Sequence, residues 1–249
     1  ICIIFFGTHA FSQIPSLYKE VDHIICVVED LKMVKKTWQQ LGFNQLWDEV
    51  EVMIVSRLPG MDGPTMGKMA VGYLDKAKII WIEPSKIQNP FSEYMKAWKE
   101  GVYALIYPAD NMKILKREAQ RLREKGIIIY DNLELRSHDG KVNFYVFNTA
   151  EQGKYLLGFM LTDDISFLFD LKWEGSNRYN MKFVQYAFTI TDEAPVSAFW
   201  NNLGWPEIVV THDSIYDKQY YGQPADYDMR TGWQRHGTIP LKWCIPLKG

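Results

Sequence analysis

The chain has 249 residues, 47% of them apolar and 14% aromatic, with 28 Lys and Arg against 30 Asp and Glu and a net charge of −2. That near-balance, with no basic stripe, makes nucleic acid a poor partner, and no apolar run approaches the roughly 20 residues of a membrane span. Three cysteines supply no evident disulfide framework.

In chain order, Ile1–Phe6 is apolar, and Ala10-Phe11-Ser12 puts small residues where a signal peptidase reads them, ahead of Gln13. Residues 1–12 therefore read as the remnant of a signal peptide and the protein as exported, periplasmic or secreted. The other reading is a buried first strand in a cytoplasmic protein. Val21–Val28 is a short apolar run, hence a buried strand. Asp30 precedes Leu31–Leu41, whose Leu31, Val34, Trp38 and Leu41 follow helical spacing, with Gly42 placed to end the helix. Val50–Val55, Met69–Tyr73 and Lys78–Glu83 read as strands around a Pro- and Gly-rich loop at Leu58–Gly67. Ser85–Glu100 reads as a connector.

Gly101–Tyr107 opens a second unit of the same order. Helix Asn111–Lys125 carries Ile114, Ala119 and Leu122 on its apolar side, and its Lys113–Lys125 charge run reads as a solvated face. Strands follow at Ile127–Tyr130, Val142–Asn148 and Lys154–Leu161, with a hairpin turn at Asp139-Gly140. Asp163–Arg178 reads as a linker in which Ile165–Leu171 packs on a core. The third unit has strand Phe183–Ile190, helix Ala194–Leu203 and strand Leu241–Ile245.

Landmarks recur at an ungapped offset of 162: Asp192 on Asp30, Trp200 on Trp38, Leu203-Gly204 on Leu41-Gly42, Gly222 on Gly60, Trp243 on Trp81, Pro246 on Pro84. A strand–helix–three-strand unit is thus expected at 20–87, 100–162 and 182–249. The first two make one domain, 20–165, and the third makes half of a second. A fourth unit is implied. Three units leave one sheet unpartnered, and an open sheet invites homo-oligomers.

Tandem units of this order resemble the vicinal oxygen chelate superfamily, which includes glyoxalase I, methylmalonyl-CoA epimerase, extradiol dioxygenases and bleomycin-resistance proteins. Val21-Asp22-His23-Ile24 looks like its opening strand, where the His is a metal ligand. Glu100-Gly101-Val102-Tyr103-Ala104 looks like the start of a second module, where many members have Gly-x-His-His. Tyr221–Ala225 followed by Leu241–Leu247 is similar to epimerase-like members. The resemblance implies an α+β fold in which βαβββ modules pair into an open eight-stranded cup around one metal. It implies a glyoxalase- or epimerase-like protein acting on a small organic molecule, as a metal-dependent lyase or isomerase that stabilises an enolate. The alternative is a metal-free small-molecule-binding protein of bleomycin-resistance type.

The resemblance asks for His or Gln on each first strand and Glu or Gln on each last strand. The first strands offer His23, Ala104 and Gln185, and the last strands offer Ile80 and Lys242. His23 and Gln185 are the candidate metal ligands. One imidazole does not hold a divalent ion, so none is expected in the first cup; a divalent ion is expected in a second cup, where the charge of Lys242 argues against it. Strand parity sets Ile25 and Val27 in phase with His23, Lys78 and Ile82 with Ile80, and Ile106 and Val102 with Ala104. Ile25, Ile80, Ile82, Ala104 and Ile106 should then line an apolar pocket for substrate. Lys242 should line the second, beside Ala187, Thr189 and Cys244. Glu83 should face away, and no carboxylate should reach the His23 ring. The Trp38/Trp200 and Trp81/Trp243 pairs belong to helix-on-sheet cores. His138, His212 and His236 should face solvent, and Cys26 and Cys244 read as small buried apolar residues.

Overall fold

The computed structural model describes residues 14–161 and 182–248, except 44, 45, 47, 48, 62, 76, 139, 213–215 and 236. The signal remnant, the linker at 163–178, the turn at Asp139 and the side chain of His236 fall outside the described residues.

The first unit is β1 (His23–Val27), α1 (Leu31–Gln40), β2 (Val50–Val55), β3 (Thr65–Leu74) and β4 (Ala77–Pro84). Asp30 caps α1 by accepting from the backbone N–H groups of Lys32 and Met33. After α2 (Pro90–Trp98), the second unit runs β5 (Gly101–Ala109), α3 (Met112–Glu124), β6 (Ile129–Arg136), β7 (Lys141–Phe147), α4 (Ala150–Gly153) and β8 (Leu156–Leu161). These strands close into one barrel in the order β1-β4-β3-β2-β6-β7-β8-β5.

The expected eight-stranded cup is present, closed edge to edge and filled. Ile25, Ile54, Ile80, Ile82, Ala104, Ile106, Leu133, Phe144 and Met160 form one buried cluster in its interior. One end is plugged by α2, a helix where the sequence suggested only a connector. Asn89 and Ser92 form a capping box around Pro90 and fix its start. Its Phe91 packs edge-on against Tyr103, with centroids 4.9 Å apart, and Tyr94 does so at 5.5 Å. Tyr103 faces inward because β5 carries a bulge: Ile25 pairs with Ala104 but Cys26 pairs with Val102. The extra residue reverses the parity expected for Val102, which packs on the outer cluster instead.

The third unit is β9 (Tyr186–Thr189), α5 (Glu193–Asn202), β10 (Val209–Thr211), a small hairpin of β11 (Gln219–Tyr220) and β12 (Gln223–Pro224), β13 (Asp228–Gln234) and β14 (Leu241–Lys248). Its four-stranded sheet has the order β10-β13-β14-β9. The register of β9, β14 and β13 repeats that of the first unit at the same offset, while β10 is displaced by one, since Thr231 meets Thr211 where Met69 meets Val50. Ala187 pairs with Lys242 as Ile25 does with Ile80, Phe188 with Trp243 as Cys26 does with Trp81, and Thr231 with Cys244 as Met69 does with Ile82. Gly42 and Gly204 both take positive φ, 90° and 95°, at the ends of their helices.

The third unit leans on the outside of the barrel by its helix side. Trp200 stacks on Tyr155 at 4.8 Å, meets Trp205 at 5.0 Å and donates its Nε1–H to the carbonyl of Gly153 at 3.1 Å. A Cβ on Gly153 would stand 2.6 Å from the Trp200 ring, so glycine permits this approach. A polar strut runs alongside. Tyr18 donates to Glu118 at 2.5 Å, Arg121 pairs with the same carboxylate, and Arg121 Nη1 donates to the carbonyl of Leu203 at 3.0 Å. Glu118 is buried, so the charge run of α3 is more than a solvated face.

Trp200 and Trp38 hold the same helix position, but Trp38 is only half-buried. Trp200→Ala should destabilise by about 3–5 kcal/mol and Trp38→Ala by clearly less, read from urea unfolding. Equal losses would contradict this packing.

Candidate functional site

His23 is fully buried at one end of the barrel, and its Nδ1 meets the Asp22 carboxylate. The other Asp22 oxygen accepts from Lys78 Nζ at 2.9 Å, and the Asp22 backbone N–H donates to the carbonyl of Ile106 at 2.8 Å. This corrects the expectation that no acid reaches the ring. Asp22 lies just ahead of β1, so strand alternation does not turn its side chain away from its neighbour's. An acid next to the His was the signal available in the sequence. Glu83 does face away, accepting from the Leu31 N–H at 3.0 Å. Ile25, Ile80, Ile82, Ala104 and Ile106 are together, all fully buried among other side chains. Cys26 is a free thiol pushed up to about 12 by burial, which makes it inert. His212 is exposed and pairs with Asp228 at 3.0 Å.

The third unit turns its other sheet face outward. Gln185, half-buried, stands one residue before β9. Across the sheet run two rows, Ala187–Lys242–Trp233–Val209 and Thr189–Cys244–Thr231–Thr211. Lys242 Nζ lies 5.5 Å from the centre of the Trp233 ring, in cation–π range. Where the barrel buries Ile25, Ile80, Ile82, Met69 and Val71, this face carries Ala187, Lys242, Cys244 and Trp233, with Thr231 buried. Between barrel and third unit, Tyr18, Tyr107, Tyr186 and Leu241 line a cavity of about 70 Å³. That is room for a few waters rather than a substrate.

A triple mutant of 4-hydroxymandelate synthase from Streptomyces coelicolor superposes on 92% of this chain, with a TM-score of 0.56 and 11% identity. The chain has the vicinal-oxygen-chelate fold. It spans 63% of that synthase's length. Methylmalonyl-CoA epimerase from Mycobacterium tuberculosis matches 61% of the chain over 95% of its own, at a TM-score of 0.42 and 16% identity. No protein-family profile and no curated protein matches the sequence.

Vicinal-oxygen-chelate enzymes hold a metal at the first- and last-strand positions, and the described residues here do not complete such a ligand set. In the barrel, the strand partners of His23 are Lys78 and the buried Ile106, and the last- and first-strand positions Ile80 and Ala104 are buried and apolar. Its Nδ1 already meets Asp22, whose second oxygen is held by an ammonium group. On the third-unit face, Gln185 is accompanied by Lys242, a cation at a ligand position. Among the described residues no three His, Cys, Asp or Glu side chains come together. No helix among them is long and apolar enough to cross a membrane.

Burial lowers the His23 pKa, outweighing the Asp22 carboxylate that would raise it. The ring is therefore neutral and donates Nδ1–H to Asp22. Burial also opposes the Asp22 charge, but His23 and Lys78 together hold that carboxyl down at about 2. Below about pH 6.5 the unfolded chain takes up a proton that folded His23 refuses, so stability falls as pH drops below that value. Asp22 acts in the same direction further down, its contribution being lost as pH falls toward about 2. The wild type should lose stability between pH 6.5 and 5 more steeply than His23→Gln. By NMR the His23 ring should titrate at lower pH than a free imidazole. A normal imidazole titration would contradict a buried neutral ring.

Proposed function

We propose that this chain binds a small organic anion on the outward face of the third unit, while the filled barrel serves as its scaffold. The observation that carries the reading is the exchange of buried apolar residues for Lys242, Trp233, Thr231 and Cys244 at matching register positions. A barrel packed with Ile25, Ile80, Ile82, Ala104 and Ile106 leaves those side chains as core rather than as a pocket. Lys242 supplies a cation, Trp233 an aromatic wall, and the exposed Thr189 a hydroxyl group that can orient a carboxylate. The fold neighbour named for 4-hydroxymandelate supports a small-molecule reading by fold alone.

A second reading is a metal-dependent lyase or isomerase. It is favoured by Gln185, which stands 162 residues after His23, the offset of the repeat, and is a residue type that vicinal-oxygen-chelate members use as a ligand.

A panel of small carboxylic acids, titrated with and without Mn²⁺ or Zn²⁺ and followed by calorimetry, separates the two. The anion-binding reading expects a carboxylate to bind in EDTA. Lys242→Ala should weaken it by tenfold or more, about 1.4 kcal/mol, and His23→Gln should leave it unchanged. Binding that needs the metal and is lost in Gln185→Ala, with Lys242→Ala harmless, would favour the second reading.

A further inference from the structure

The plugged end of the barrel carries surface that its core does not account for. β1 and β4 end there, at Val27 and Pro84, and β3 and β5 begin there, at Thr65 and Gly101. The register shows the common end: Val27 pairs with Ile82 and Gly101, and Gly67 with Pro84. β2 ends there too, so its antiparallel neighbour β6 begins there, at Ile129. Around this end stand Met33 at 58% exposed, Ile87 at 64% and Trp98 at 63%, with Met66, Ile128 and Ile129 also exposed. Two hydrogen bonds tie their segments together. The Ser85 N–H donates to the carbonyl of Met66 at 3.3 Å, and the Glu29 N–H donates to Glu100 Oε1 at 2.7 Å. Apolar side chains exposed singly need no explanation, but a set gathered on one end does.

Charge is arranged around these side chains. Met33, Ile87 and Trp98 each have a lysine as chain neighbour, in Lys32-Met33, Lys86-Ile87 and Trp98-Lys99, and all three lysines are exposed. The nearby acids are engaged: Asp30 caps α1, Glu83 accepts from the Leu31 N–H, Glu93 pairs with Lys96 at 2.6 Å and Glu100 accepts from Glu29. Lys99 supplies an independent observation. It ends α2 at φ 65° and ψ −154°, a region that glycine alone enters without strain. A lysine at a glycine position, next to an exposed tryptophan, marks its ammonium group as needed there. Protein interfaces are poor in lysine. Separated apolar side chains flanked by lysines are what an interfacial membrane site uses. Trp and Ile enter the boundary between headgroups and acyl chains, while lysine stems lie along it and keep their ammonium groups on anionic headgroups.

We propose that the plugged end of the barrel docks on an anionic lipid surface, with Ile87 and Trp98 inserted and Lys32, Lys86 and Lys99 on the headgroups. The attachment is peripheral and needs no spanning segment. α2, fixed at its start by the Asn89–Ser92 capping box and held down by the buried Phe91, is the rigid base that presents it. The anion-binding reading of the third unit concerns different residues, so neither reading depends on the other.

Vesicle flotation of the 249-residue chain is the test. Vesicles of phosphatidylcholine with about 30% phosphatidylglycerol should carry the protein, phosphatidylcholine alone should not, and binding should fall as salt rises. Lys86→Glu with Lys99→Glu should weaken binding by about tenfold or more, and Trp98→Ala should weaken it severalfold. Lys113→Glu with Lys116→Glu makes the same charge change on α3, which follows the far end of β5, and should leave binding unchanged. Lys99→Gly separates docking from backbone strain: it should raise the melting temperature and weaken vesicle binding together. No binding to either vesicle overturns the proposal and leaves this end to a protein partner. Equal binding to both lipids overturns it, and so do equal losses in the two double variants, which would mean attraction by net charge alone. Binding left intact in both Lys99→Gly and the first double variant overturns it as well.

Discussion

A four-stranded βαβββ sheet has two bare edges and one face that its own helix does not cover. Everything else in this protein follows from how those surfaces are satisfied. The first two units satisfy each other. Their edges join into a closed barrel, and their inward faces interlock around Ile25, Ile80, Ile106, Phe144 and Met160. The second cluster lies outside the barrel, between its strands and the helices. It runs without a break from Tyr107 and Phe159 to Trp200, Trp205 and Trp243 of the third unit. The third unit is thus anchored through the side that carries its helix.

That choice of anchor fixes which face is left for work. Trp200 locked over Gly153, and the Tyr18–Glu118–Arg121 strut reaching Leu203, hold α5 against the barrel. Trp243 points into this junction, so its strand neighbours Lys242 and Cys244 must point away from it. In the barrel the same alternation puts Ile80 and Ile82 in a dry core. One topology therefore gives a scaffold in the first pair of units and an accessible, partly polar surface in the third.

The repeat was legible because landmark residues stand where geometry tolerates little change: the capping Asp30 and Asp192, the helix-ending Gly42 and Gly204, and Trp81 and Trp243 on the last strands. Strand phase was legible for Ile25, Ile80 and Ile106, since alternation is local. It failed at Val102 because a bulge inserts one residue, and nothing in Gly101–Tyr107 marks where. The filling of the barrel was not legible either. It depends on Phe91 arriving from α2 and on Tyr103 turning inward, both of which are tertiary facts. Asp22 beside His23 was in plain view in the sequence. It stands just ahead of β1, where strand alternation does not set the direction of its side chain.

The central claim is that the barrel is core and the third unit's outward face is the binding surface. Hydrogen exchange with and without a bound small carboxylate locates the ligand directly. Protection should appear in β9, β13 and β14, with β1, β4 and β5 already slow and unchanged. Ligand-dependent protection confined to β1, β4 and β5 would place the site inside the barrel and contradict the account.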